Sequence, residues 1–400
     1  MTNEDMLLIK NENADILIRG DKIIEVNKDI KETGALTVID ATGFIVAPGL
    51  VDMHVHFREP GFEYKEDILT GSAAAAAGGI TTCCCMANTK PVTDSKESVK
   101  YISKKAEKAP VKVLPIGAVT LGLQGETLTD FTLLNEAGAV ALSDDGIPVK
   151  SDKVMREALL KAQKSDMLII SHCEEEEPMV SRDIKLAAET GTKVHIAHVS
   201  TAVAVEAIRR AKAEGIKVTA ETCPHYFSLT KSAVETKGTL AKMSPPLRKQ
   251  EDVEAIISGL CDGTIDVIAT DHAPHSEDEK ALPFNDAPNG IIGLETSLAV
   301  TLTYLYHTGK LGIIEIIKLM TENPAKILNI DAGIIKEGGP ADIVIFDPNE
   351  EWIVEPEKFK SKAKNTPYGG AKLKGKVILT IAGGKIVFKA DETGKMVFAP

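Results

Sequence analysis

The central part of the chain alternates two rhythms. Short, nearly all-apolar runs recur as "GLVDMHVH", "GITTCCCMAN", "VKVLPIGAV", "AGAVALSDDG", "DMLIISHCE", "TKVHIAHVS", "GIKVTAETCPH" and "IDVIATDH". Between most of them stand charged segments of helical character, such as "DSKESVKYISKKAEKA", "SDKVMREALLKAQK" and "TAVAVEAIRRAKAEG". Strands that are apolar on both faces need cover on both faces, so the alternation predicts a parallel sheet wrapped in helices. Eight such runs between residues 49 and 272 predict a closed (β/α)8 barrel. A doubly wound nucleotide-binding sheet fits less well, because no G-x-G-x-x-G follows an early strand. Asp94 or Ser95, and Ser200 or Thr201, stand where helix caps are expected. "GSAAAAAGGITT" reads as a small-residue helix packed closely on a strand, stopped by Gly78-Gly79.

The two ends have a different texture. "DILIRGDKIIEV" and "LTVIDATGFIVAPG" near the start, and "ADIVIFDP", "EEWIVEP" and "GKVILTIAGGKIVF" after residue 340, are β-rich runs punctuated by glycine turns. Neither end alone has enough strands for a stable sheet, so both are expected to meet in one small antiparallel β-sandwich with an aliphatic core. The predicted organisation is α/β: a barrel over residues 49–330, with 1–48 and 331–400 contributing the two parts of the small domain.

A chain of 400 residues supports one barrel of roughly 250 residues plus a smaller domain. Lys+Arg 46 against Asp+Glu 58 gives a formal charge of −12, spread thinly, with no basic patch interleaved with aromatics; no nucleic-acid partner is expected. The opening "MTNEDMLLIKNENAD" is charged where a signal peptide needs its apolar core. No apolar run approaches the ~18 residues of a membrane span, so a cytoplasmic protein is expected. The six cysteines form no C-x-x-C pair and read as small buried thiols in a reducing compartment.

Barrel enzymes place their chemistry at the carboxyl ends of strands. The polar residues there are His54 and His56 on the first run, Asn88 past the second, Asp144 or Asp145 on the fourth, His172 on the fifth, His198 on the sixth and Asp271 on the eighth. Residues i and i+2 of a strand share a face, so His54 and His56 both aim into the mouth. His195, three residues before His198, is expected to face the other way and to be structural. Four imidazoles and two carboxylates converging on one mouth are costly to bury without a cation, and nitrogen and oxygen donors without thiolates suit Zn²⁺, with Mn²⁺, Co²⁺ or Fe²⁺ as alternatives.

The ordered motifs "PGLVDMHVHFREPG", "NTKPVTD", "SDDG", "HCE", "HIAHVST", "SPPLR" and "IDVIATDHAPH", with the late "GLET" and "NTPYGG", resemble the bacterial and archaeal dihydroorotases of the amidohydrolase superfamily across essentially the whole chain. The resemblance implies one or two zinc ions per subunit. His54, His56 and Asp271 would hold the more buried ion, His172 and His198 the second, and Asp145 would bridge them; spacing alone leaves Asp144 open. It further implies that Arg58 and Asn88 clamp a substrate carboxylate with help from His275, and that Ser244 also meets the substrate. The implied reaction is reversible hydrolysis of dihydroorotate to N-carbamoyl-L-aspartate, with Asp271 as general base and then acid.

Two rivals share most of these motifs: a hydantoinase- or allantoinase-like cyclic amide hydrolase without the carboxylate clamp, and a weakly active partner subunit of aspartate transcarbamoylase. A homodimer and association with that transcarbamoylase are the macromolecular partners in view. Ser244 departs from the family, which usually has Asn before "PPLR", and the short run from His172 to His198 is expected to make a smaller lid. His225 and His272 have no assigned role beyond hydrogen-bonding support near the mouth.

Overall fold

The computed structural model describes residues 6–31 and 37–390, and the backbone of 398–399. Eight parallel strands follow one another around the central sheet in sequence order: Leu50–Val55 (β1), Ile80–Cys85 (β2), Lys112–Gly117 (β3), Ala141–Leu142 (β4), Ile169–Ser171 (β5), Val194–Ile196 (β6), Val218–Thr222 (β7) and Val267–Ile268 (β8). The ring closes just past β8, where Val55 pairs in parallel with His272 and the His56 N–H donates to the His272 carbonyl at 2.9 Å.

Side-chain alternation sorts the strands into two faces. On β2, Cys84 packs with Met53, Ile116, Ala141, Ile170 and Val267 inside the ring, whereas Cys83 and Cys85 pack with the surrounding helices. All six cysteines are free; five are buried, and Cys261 departs from the expectation by lying exposed at the end of helix Gln250–Cys261, where it faces solvent instead of the core.

The predicted helices form at Lys96–Ala106, Asp152–Lys164 and Ala202–Ala213. Ser95 and Thr201 are the caps, each accepting a backbone N–H from the first turn, an interaction typically worth about 1 kcal/mol. Helix Ile68–Ala77 stops at Gly78, and a Cβ there would sit 2.1 Å from the Leu294 carbonyl oxygen, so the bare backbone allows this close approach.

Both ends of the chain meet in two small sheets. Met6–Lys10, Asp15–Arg19, Lys22–Asn27, Thr37–Asp40 and Phe398–Ala399 make one, and Ile45–Pro48, Ile343–Ile353, Lys372–Ala382 and Lys385–Lys389 make the other. Between them lies an aliphatic core in which Ile9, Ile16, Ile18 and Ile39 pack with Ile343, Ile345 and Ile381, with Phe44 as the aromatic member. One pairing breaks the antiparallel pattern: Met6–Lys10 runs parallel to Thr37–Asp40. The segment after the 353 strand end leaves the sheets and returns to the barrel, where Ser361 bonds Glu66 and Asn365 bonds the Ala273 and Gly290 carbonyls. No helix among the described residues is long and apolar enough to cross a membrane.

Candidate active site

The carboxyl ends of the barrel strands surround a cavity of about 200 Å³. Its floor is the set of side chains that the strand-end pattern singled out. His54, His56 and Asp145 place one donor atom each within 4.8 Å of one another, and so do Asp145, His172 and His198. Asp145 belongs to both groups. Its Oδ1 lies 3.3 Å from His54 Nε2, 3.1 Å from His172 Nδ1 and 3.6 Å from His198 Nε2, and its Oδ2 lies 3.3 Å from His56 Nε2. Asp271 Oδ1 completes the floor at 3.0 Å from His56 Nε2 and 3.5 Å from His54 Nε2.

Geometry separates the two candidate aspartates of the fourth strand. Asp144 turns away and accepts from the Val119 N–H at 2.7 Å, the Thr120 N–H at 3.0 Å and the Thr120 hydroxyl. It ties β4 to the loop after β3, and burial pushes its carboxyl up to about 6. Asp145 faces the imidazoles. Burial opposes its charge, but the neighbouring His54 and His172 outweigh this and hold it well below the usual carboxylate range. Three residues of the site take up left-handed backbone angles uncommon for side-chain-bearing residues: Arg58 at φ 61°, His198 at 35° and Asp271 at 49°. Such conformations persist only where the surroundings over-determine them, and they cluster at functional sites.

Hydrogen bonds fix the imidazole tautomers from behind. His54 Nδ1–H donates to Glu221 Oε1 at 2.5 Å, and His56 Nδ1–H donates to Asn88 Oδ1 at 2.9 Å. Each bond leaves Nε2 as a lone pair directed at the carboxylates. His54 Nε2 is buried without a hydrogen-bond partner, and His172 Nδ1 stands 2.7 Å from His198 Nε2. A buried orphan nitrogen and facing imidazole lone pairs are what a cation resolves, so the donor set fits a metal.

Glu221 was not singled out in the sequence, where it reads as one more residue of the β7 run. It is fully buried, and besides His54 it meets His195 Nε2 at 3.3 Å. Burial raises its pKa, yet the adjacent His54 and His195 bring it down to about 2. Asp52 was also missed. It accepts from Thr270 Oγ1 at 2.6 Å, the Thr270 N–H at 3.2 Å and the His54 N–H at 3.1 Å, pinning β1 to the end of β8 beneath the site. The available signal was a carboxylate inside an otherwise apolar strand, which burial penalises unless something is bound to it.

His195 corrects an expectation. It does not face away from the mouth but points into the barrel one layer below, bonding Thr219 Oγ1 at 2.8 Å as well as Glu221. The alternation rule fails because β6 ends at Ile196 and the left-handed turn at His198 re-aims that side chain. His195 remains outside the donor groups and acts as support. The short segment after His172 forms no lid loop; it enters helix Glu176–Thr190 directly, and Glu176 accepts from the Ser200 and Thr201 N–H groups at 2.8 Å each.

One wall of the cavity carries the remaining candidates. Arg58, Asn88, Ser244 and His275 all line it. Arg58 Nε donates to the Pro274 carbonyl at 3.1 Å, and its Nη2 lies 3.4 Å from His275. His275 Nε2–H donates to the Asn289 carbonyl at 2.8 Å, and Nδ1 accepts from Lys65 Nζ at 3.3 Å. Burial, with Arg58, Lys65 and Lys280 nearby, pulls its pKa down to about 3, so the ring is neutral. His272 Nδ1 accepts from the Gly293 N–H at 3.2 Å. His225 is buried with Nε2 unpartnered, and burial pulls it down to about 4.

The profile of the amidohydrolase family matches residues 45–387. A dihydroorotase of Acetivibrio thermocellus is 49% identical over 403 residues, covering 94% of each chain. One of Geotalea daltonii is 49% identical over 409 residues, covering 95% of this chain and 96% of that protein. Among solved structures, an L-hydantoinase (dihydropyrimidinase) from Arthrobacter aurescens superposes with a TM-score of 0.86 at 26% identity, covering 96% of both chains. The barrel with its composite β domain is therefore shared with the hydantoinases, while sequence identity over nearly the full length lies with the dihydroorotases. This chain belongs to the amidohydrolase family, in its dihydroorotase branch.

Proposed function

We propose that this protein is a dihydroorotase, which reversibly hydrolyses dihydroorotate to N-carbamoyl-L-aspartate in pyrimidine biosynthesis. The observation that carries the reading is a guanidinium and an amide, Arg58 and Asn88, on the wall of a cavity floored by the imidazole–carboxylate cluster. A cyclic amide bearing a carboxylate uses both surfaces; a plain hydantoin uses one.

His54, His56 and Asp271 would hold one ion, His172 and His198 another, with Asp145 between them, and the nitrogen and oxygen donors suit Zn²⁺. Metal bound there polarises the amide carbonyl and makes water a usable nucleophile near neutral pH. Arg58 takes the substrate carboxylate through two parallel N–H···O bonds, a geometry that its planar fork provides. Asn88 has its Oδ1 committed to His56, so its NH2 is the group left to donate to the substrate. Asp271 takes the proton of the attacking water and returns it to the leaving ring nitrogen. His275 has both ring nitrogens engaged, so it stands beside Arg58 without competing for that proton. Ser244 contributes a short hydroxyl where a longer amide would reach further into the cavity.

The complete set of converging donors speaks against a degenerate partner subunit. Steady-state kinetics on dihydroorotate, dihydrouracil, hydantoin and allantoin test the specificity. Dihydroorotate is expected to lead in kcat/KM by at least ~10²-fold, since a site built to bond a polar group strongly rejects analogues that lack it. A preference for any of the other three would assign Arg58 and Asn88 to a different task.

A further inference from the structure

Lys280 is 4% exposed, and its ammonium bonds to main-chain carbonyls: Pro288 at 3.0 Å, Gly290 at 3.0 Å and Lys242 at 3.4 Å. A long, strongly hydrated side chain is rarely buried on such partners unless its position matters. The neighbouring Lys242 repeats the motif from the other side, donating to the Phe284 and Ala287 carbonyls at 2.5 Å each and to Asn285 at 3.2 Å, while its own carbonyl accepts from the Gly290 N–H at 2.9 Å. Two ammonium groups thus brace the loop of residues 284–290 against the segment that leads from the turn Gly238–Ala241 to Ser244.

The end of this loop forms part of the substrate wall, where Asn289 and Gly290 line the cavity. Its Asn289 carbonyl takes the His275 Nε2–H, and the adjoining Pro274 carbonyl takes Arg58 Nε. Packing leaves no slack between loop and wall: Gly290 has φ +125°, and a Cβ there would lie 2.6 Å from Ala273 Cβ and 3.3 Å from His275 Nε2. A shift of Gly290 is therefore passed to residues 273–275. Asn365 closes the same joint, with Nδ2 at 3.1 Å from both the Ala273 and Gly290 carbonyls and Oδ1 accepting from the His275 N–H at 3.1 Å.

We propose that Lys280 is a positioning residue for recognition of the substrate carboxylate: it holds Pro288–Gly290 in place and, through His275 and Pro274, sets the aim of Arg58. The inference rests on the functional reading above. Burial and the nearby Lys242 pull Lys280 down to about 8, so it is still mainly cationic near neutrality, and it adds a third positive charge to those of Arg58 and Lys65 around His275. An anionic group entering beside this wall meets that combined field.

The test is the split between KM and kcat for dihydroorotate in Lys280→Met, which keeps the length of the stem and removes the charge. Removing an interaction made equally in the ground and transition states raises KM and spares kcat. KM is expected to rise ~10-fold or more, the consequence of losing hydrogen bonds to a charged group, while kcat stays within about 3-fold and bound metal is unchanged. Lys242→Met, at a half-buried position that folding tolerates more easily, is expected to raise KM by a smaller factor. Unchanged KM in folded Lys280→Met overturns the inference; if that variant does not fold, unchanged KM in Lys242→Met overturns it. Wild-type protein that fails to open dihydroorotate overturns the functional reading and this inference together, whereas normal wild-type turnover with unaltered variants overturns the inference alone.

Discussion

Asp271→Asn is expected to keep at least part of its metal and to lose roughly 10²-fold or more of the ring-opening rate, the usual scale of general acid–base assistance. The carboxylate stands at the end of β8, 8% exposed, with Oδ1 at 3.0 Å from His56 Nε2. Burial opposes its charge, but His54 and His56 outweigh this and hold it below the usual carboxylate range, so it stands ionised near neutrality, with a lone pair free for the proton. Asparagine preserves the shape and one carbonyl oxygen but cannot accept that proton at ordinary pH. Rate and metal content measured on the same preparation separate the two roles. Near-wild-type turnover in metal-loaded Asp271→Asn would remove Asp271 from the proton path.

Arg58→Met is expected to cost roughly 10²-fold or more in kcat/KM for dihydroorotate, with metal content unchanged, because truncating one member of a buried charge pair costs about 2–5 kcal/mol. Its guanidinium is fixed by Pro274 and lies outside both donor groups, so the loss should be confined to recognition. Metal loss in this variant, or turnover equal to wild type, would show that Arg58 is not the carboxylate clamp.

Much of this was legible because two rules act locally. Strands covered on both faces must be apolar, which exposed the eight barrel runs, and a barrel brings side chains together at the carboxyl ends of its strands, which exposed His54, His56, His172, His198 and Asp271. What stayed hidden depends on tertiary partners or on bent backbone. Asp144 and Asp145 are adjacent just past the two-residue strand Ala141–Leu142, and only the turn they stand in decides which one faces inward. His195 was mis-aimed because alternation presumes extended backbone through His198. Glu221 and Asp52 lie within runs whose apolar neighbours draw attention away from them. Lys280, in "HSEDEKALP", looks like an ordinary solvated charge, and nothing local shows the three carbonyls that enclose it.

Dihydroorotate ring opening is expected to depend on a metal held by the converging imidazoles and carboxylates. The direct measurement is elemental analysis and ring opening on one purified sample, before chelation, after chelation and after Zn²⁺ is restored. About one to two equivalents of a divalent first-row metal per chain are expected, with activity that disappears with the metal and returns with Zn²⁺. Metal-free protein that opens dihydroorotate at the full rate would contradict this dependence.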